Sequence, residues 1–200
     1  MKVKICGIRD IPTALNAIEQ GVDALGFVFA DSKRRVTPRE AKAIIEKLPK
    51  EVLKVGVFVN AELGEIQKII EQTGLTAVQL HGDESPEYCE GLSVPVIKAV
   101  SVKSSLELSK IQEYPVEYIL LDSPKGQYRG GNGTSFDWSL LKNFNRGQKK
   151  IILAGGLNEE NVEEAIRIAS PYMVDVSSGV ETNGIKDPKK IQNFIGRAKN

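Results

Sequence analysis

Cysteine and histidine are nearly missing: the 200 residues include two cysteines and one histidine. Cys6 and Cys89 make no spaced framework, so the sequence predicts neither a disulfide scaffold nor a zinc site. His81 alone gives too few ligands for a metal centre. Excess charge is missing as well, with 27 basic residues against 26 acidic and a net charge of +1. Without a strong basic field, neither nucleic acid nor an anionic membrane is the expected partner. No apolar run approaches the roughly 18 residues of a membrane span. The N-terminus opens directly on a strand pattern, without the apolar core of a signal peptide. A cytoplasmic location is the default expectation. No Gly-x-Gly-x-x-Gly follows the first strand, which weakens a dinucleotide-binding sheet. No linker or low-complexity segment divides the chain, so one domain over residues 1–200 is expected.

What is present is a recurrence. With 41% hydrophobic residues the chain can build a large core. Strand-like runs return about every 25 residues, at 3–8, 24–30, 53–60, 77–81, 95–100, 118–122, 150–154 and 173–177. Most are continuous apolar stretches, as in parallel strands covered on the outside by helices. Helical patterns fill the gaps, at 11–20, 37–48, 63–72, 85–91, 103–114, 136–144, 158–169 and 187–199. Thr37-Pro38-Arg39-Glu40 carries a cap, a first-turn proline and a capping box. Eight βα units in 200 residues predict an α/β fold of the (β/α)8 barrel type. A doubly wound open sheet is the runner-up.

The working face of such a barrel lies at the C-terminal ends of its strands, and the odd residues gather there. The first strand ends at Cys6, with Lys4 on the same side by alternation. Cys6 alone reads as a small buried hydrophobe or as a catalytic thiol. Asp122 closes the greasy run Tyr118-Ile119-Leu120-Leu121. It either caps the next turn or serves as a general acid, since burial disfavours a charged carboxylate. An acid and a base on strands one and six would face each other across the barrel mouth, which suits proton transfer on a small sugar phosphate.

Gly155-Gly156 and Ser177-Ser178-Gly179 follow the last two strands, where barrels often bind phosphate through backbone N–H groups. Ser32-Lys33-Arg34-Arg35 follows the second strand. It is either a solvated turn or the source of an arginine that clamps a carboxylate; the residues themselves favour neither arginine. The glycine-rich stretch 126–135 suits a surface segment or a closing lid. His81 fits a satisfied polar residue or a ligand contact, and Asp175 a structural aspartate or a sugar-hydroxyl partner. Lys98 reads as a paired interior lysine, and Trp138 as a core anchor.

Taken in order, these residues resemble the phosphoribosylanthranilate isomerase family. The resemblance rests on Lys4-Ile5-Cys6-Gly7-Ile8, Gly26-Phe27-Val28-Phe29, Ser32-Lys33-Arg34 and Val55-Gly56-Val57-Phe58-Val59-Asn60. It continues through Gln79-Leu80-His81-Gly82, Leu121-Asp122, Gly130-Gly131-Asn132-Gly133 with Phe136-Asp137-Trp138, Ala154-Gly155-Gly156-Leu157 and Val174-Asp175-Val176-Ser177-Ser178-Gly179-Val180-Glu181.

The resemblance implies a (β/α)8 barrel of tryptophan biosynthesis. Such a barrel converts N-(5-phosphoribosyl)anthranilate to 1-(2-carboxyphenylamino)-1-deoxyribulose 5-phosphate without cofactor or metal. It also implies Cys6 as general base, Asp122 as general acid, and Arg34 on the anthranilate carboxylate. His81 and Asp175 would complete the substrate site, and Gly155, Gly156, Ser177, Ser178 and Gly179 would hold the phosphate. One position departs from the pattern: Arg35 stands where the family commonly has an aromatic residue. The expected partner is a phosphorylated small molecule, and the expected state a monomer or homodimer. A different sugar-phosphate barrel and a non-catalytic phosphate-ligand barrel are the competing readings.

Overall fold

A computed structural model describes residues 1–123, 136–142 and 144–200. Eight parallel strands close into a barrel in sequence order. They are β1 (Lys2–Cys6), β2 (Ala24–Val28), β3 (Leu53–Phe58), β4 (Ala77–Leu80), β5 (Val96–Ser101), β6 (Tyr118–Asp122), β7 (Lys150–Leu153) and β8 (Met173–Val176). Closure is made by β1 against β8, with Lys4 opposite Asp175. The open-sheet alternative is thereby excluded. Five helices fall between or after the strands as the hydrophobic periodicity predicts: α1 (Ile11–Glu19), α2 (Pro38–Ile45), α3 (Leu63–Thr73), α5 (Val162–Ala169) and α6 (Pro188–Lys199). A shorter one, α4 (Ser105–Ser109), follows β5.

Alternation along the strands separates two cores. One face of each strand meets the helices and builds the large outer core around Ile5, Leu25, Phe27, Leu80, Leu121 and Phe194. The other face fills the barrel with Ala24, Val55, Ala77, Ile97, Leu120, Ile152 and Met173. Above that layer Cys6, Val28 and Val57 form a small cluster of their own. The polar residues Lys4, Gln79, Asp122 and Asp175 are buried, and they share the inward parity of their strands.

The helix starts follow from local chemistry. Thr37 and Glu40 make a reciprocal capping box ahead of Pro38. Asp10 and Asp187 accept backbone N–H bonds at the starts of α1 and α6. The fourth, fifth and sixth units differ from expectation. Residues 85–91 do not form an α-helix but a single 3-10 turn, Glu87–Gly91. The first part of the segment between β4 and β5 is held by the buried Lys98–Glu84 pair, and Tyr88 within it donates to the Ala61 carbonyl. The region 103–114 divides into α4 and a 3-10 turn, Lys110–Glu113. The region 136–144 keeps only the turn Trp138–Leu141, with Trp138 half-buried against the outer core. The expected lid, 126–135, lies outside the described residues.

After β8 the chain makes a feature the periodicity did not suggest. A 3-10 turn, Ser178–Val180, leads into a two-residue hairpin, β9 (Glu181–Thr182) with β10 (Ile185–Lys186). Its loop is Asn183-Gly184, with φ of 52° and 77°. Both central residues take positive φ, which asparagine and glycine tolerate best.

Candidate active site

A cavity of about 540 Å³ opens at the C-terminal end of the barrel. Cys6, Arg34, His81, Asp122, Gly155, Gly156, Asp175, Ser177 and Ser178 all line it. The sequence-predicted residues therefore meet in one place. Gly179 sits behind the lining, so close to the seventh loop that a Cβ there would lie 1.9 Å from the Leu157 carbonyl oxygen. Of the two arginines, Arg34 lines the cavity, whereas Arg35 is exposed to solvent.

Cys6 is placed by its neighbour in the ladder. It pairs with Gly26 of β2, where a Cβ would come within 2.8 Å of its sulfur and 3.1 Å of Lys4 Nζ. Glycine is the residue that leaves room for both. Lys4 is fully buried and bonds Asp175 at 3.0 Å. Burial works against its charge, but Asp175 and Cys6 outweigh that and raise its pKa. For Cys6, burial pushes the thiol above its ordinary value; the Lys4 and Lys186 cations pull it back, and Asp175 opposes them.

Asp122 ends β6 with both oxygens occupied. Oδ1 accepts the Ser123 N–H at 2.8 Å, and Oδ2 lies 3.2 Å from His81 Nε2. On the far side of the imidazole, Gln79 Nε2 is 3.0 Å from Nδ1. Gly155, at φ 82°, packs on the same carboxylate. A Cβ there would stand 2.2 Å from Ser123 Oγ and 2.9 Å from Asp122 Oδ1.

The turn carrying His81 is itself anchored. Lys98 Nζ bonds Glu84 at 2.7 Å and the Gly82 carbonyl at 2.8 Å. Glu84 in turn accepts the N–H groups of Asn60 and Gly82. Both side chains of the pair are 2% exposed. Lys98 is thus a structural cation facing away from the chemistry.

Sequence reasoning gave Gln79, Glu181 and Lys186 no role. Gln79 had a signal in its inward parity beside His81. For the other two the signal is Asn183-Gly184, a strong hairpin dipeptide. Glu181 takes Arg34 bidentately, Nε to Oε1 at 2.6 Å and Nη2 to Oε2 at 2.8 Å. Burial alone would raise the Glu181 carboxyl, but bonds and charge from Arg34 and Lys186 bring it down to about 2. Among the described residues, no group of three or more His, Cys, Asp or Glu is placed to hold a metal ion. No helix among them is long and apolar enough to cross a membrane.

Known proteins share this fold and much of this sequence. The family described as N-(5'-phosphoribosyl)anthranilate (PRA) isomerase matches residues 3–197. A Bacillus cereus (strain Q1) protein named N-(5'-phosphoribosyl)anthranilate isomerase is 58% identical over 200 residues, covering all of this chain and 98% of its own. The crystal structure of phosphoribosyl anthranilate isomerase from Thermotoga maritima superposes with a TM-score of 0.91 at 44% identity, over all of this chain and 98% of that one. A further structure of the enzyme, in complex with reduced 1-(o-carboxyphenylamino)-1-deoxyribulose 5-phosphate, gives 0.89 at 43% identity with the same coverage. This chain belongs to the N-(5'-phosphoribosyl)anthranilate isomerase family.

Proposed function

We propose that this chain isomerises N-(5'-phosphoribosyl)anthranilate to 1-(o-carboxyphenylamino)-1-deoxyribulose 5-phosphate in tryptophan biosynthesis, with Asp122 as general acid and Cys6 as general base. The observation that carries the assignment is that these two groups, from β1 and β6, line one cavity at the strand ends of a barrel of this family. The cavity is large enough for a small phosphorylated ligand, and the relative bound to the reduced product shows what such a site takes in that protein.

Asp122, in its carboxylic form, gives its proton to the ribose ring oxygen. The bond from that oxygen to C1 breaks as the anilino nitrogen shares its lone pair, leaving an open-chain iminium. The carboxylate that remains is held by the Ser123 N–H and the His81 Nε2 side. The iminium acidifies the C2 proton, which the Cys6 thiolate removes, and the C2–H electrons form the C1–C2 double bond of an enolamine. Loss of the C2 hydroxyl proton and protonation of C1 give the ketose. Burial holds the Cys6 thiol above its ordinary value, and the Lys4 and Lys186 cations offset part of that cost to the thiolate this step uses. Each of the two groups supplies acid–base assistance of about 10²–10⁴-fold.

The other assignments follow from position. The turn residues Gly155 and Gly156, with Ser177, Ser178 and Gly179, cradle the phosphate. Arg34 holds the ring carboxylate, and Asp175 with His81 completes the substrate site. The chain works in the cytoplasm on a free small molecule, as a monomer or homodimer. Loss of phosphoribosylanthranilate fluorescence tests the reading. Cys6→Ser and Asp122→Asn should each lower turnover by at least about 10²-fold with the fold intact; near-normal turnover of either would refute the assignment.

A further inference from the structure

The hairpin behind Arg34 carries a charge arrangement that the isomerase chemistry leaves unexplained. Glu181 and Lys186 stand directly opposite each other in the β9–β10 ladder and bond at 2.6 Å. A hairpin this short is normally solvated, yet their side chains are 7% and 5% exposed. Burying ions is costly, and a buried pair is weak evidence for stability alone. Two further contacts tie the pair to the site. Glu181 grips Arg34 through Nε and Nη2. Lys186 Nζ donates to the Ser177 carbonyl at 3.0 Å and lies 3.3 Å from Ser177 Oγ, while Ser177 Oγ donates to the Cys6 carbonyl at 3.1 Å.

A guanidinium has five N–H donors in a fixed fork. Glu181 takes the side edge, Nε–H and one Nη2–H. Among the described residues the end edge has no partner, and its two parallel donors suit a second carboxylate. The Arg34 stem is fixed too: it runs over Gly7, where a Cβ would lie 2.5 Å from Arg34 Cδ. Glu181 cancels the charge of Arg34, and Lys186 restores it, so the trio keeps one positive charge beside the cavity.

We infer that Glu181 and Lys186 are positioning residues for recognition of the substrate's ring carboxylate: Glu181 locks Arg34 with its end edge toward the cavity, and Lys186 supplies the charge that Glu181 removes. This rests on the assignment of Arg34 to that carboxylate. The hairpin is then a specificity device, made possible by Asn183-Gly184, rather than a surface ornament of the barrel.

The test compares inhibition by two product analogues, reduced 1-(o-carboxyphenylamino)-1-deoxyribulose 5-phosphate and its counterpart without the ring carboxylate. The ratio of their inhibition constants reads carboxylate recognition alone, since both share the phosphate and sugar. Glu181→Gln removes a negative charge, so a purely electrostatic role predicts tighter carboxylate binding. Positioning predicts the reverse, a loss of about tenfold in the ratio. Glu181→Asp keeps the charge but shortens the reach, and should lose part of the ratio. Lys186→Met should lose about as much as Glu181→Gln. Binding of the carboxylate-free analogue shows that each variant retains its site. An unchanged or improved ratio in Glu181→Gln overturns the positioning role, and an unchanged ratio in Lys186→Met overturns the part given to Lys186. Arg34→Ala separates the two levels: it should bring the ratio close to one, and if it does not, the Arg34 assignment itself is wrong.

Discussion

Gly26→Ala should disable this enzyme without unfolding it, because the glycine exists to leave room for the thiol. The position lies inside β2 with ordinary backbone geometry, paired with Cys6. An added Cβ would meet the Cys6 sulfur at 2.8 Å, the Cys6 Cα at 3.1 Å and Lys4 Nζ at 3.1 Å. An ordinary contact needs about 3.5 Å or more, so the sulfur must retreat by about 0.7 Å or turn to another rotamer. Overpacking of this kind costs roughly 1–3 kcal/mol. The lost flexibility of glycine in the unfolded chain returns about 0.4–1 kcal/mol. The net destabilisation is about 0–2.6 kcal/mol, small enough to leave a folded protein. Turnover should fall much further, because a displacement near 1 Å at a reacting group can cost about 10²-fold. Fluorescence turnover and urea unfolding measure the two effects. The Cys6→Ala background supplies the control: without the sulfur, most of the Gly26→Ala stability cost should disappear, a coupling of about 1 kcal/mol. Turnover of Gly26→Ala within threefold of the parent would refute the reasoning.

Gly155→Ala is the counterpart on the acid side. It forces an αL conformation on a non-glycine residue and presses on Ser123 and Asp122 Oδ1. Turnover should fall at least tenfold, and a near-normal rate would show that the carboxylate does not need its present place. Lys98→Met leaves Glu84 charged and buried without its partner, so urea unfolding should record a loss of about 3–5 kcal/mol; a loss under 1 kcal/mol would contradict the clamp. The Glu181 carboxyl, brought down to about 2 by Arg34 and Lys186, binds its proton less tightly folded than unfolded. Its contribution to stability is present above the ordinary glutamate range near ~4.3 and is lost as pH falls toward 2. Glu181→Gln should flatten that part of the stability–pH curve, and an unchanged acid limb would count against the network.

The barrel was legible because its units are strongly periodic. Buried parallel strands wrote themselves as apolar runs, and the caps at Thr37 and Asp187 marked helix starts through local hydrogen bonds. Periodicity overruns strand ends by one or two residues where an apolar residue such as Phe29 or Val59 continues past the end of β2 or β3. The fourth helix failed for another reason: propensity around Tyr88 was adequate, but tertiary anchors hold its segment, with the Lys98–Glu84 pair at its start and Tyr88 donating to the Ala61 carbonyl.

In the site, alternation placed Cys6, Lys4 and Asp175 on one interior face. The roles of Gly26 and Gly155 were hidden, since each depends on a neighbour from another strand or loop. So did the grip of Glu181 on Arg34, across 147 positions of sequence. Only the three-dimensional register brings such partners together.

The sharpest test of the acid–base pair uses substrate carrying deuterium at C2. If Cys6 takes that proton, Cys6→Ser makes proton removal limiting, and the primary isotope effect on turnover should grow. If Asp122 opens the ring, Asp122→Asn makes the earlier step limiting, and the same isotope effect should shrink toward one. An isotope effect that neither substitution moves, or that moves the other way, would contradict the assignment of these two residues.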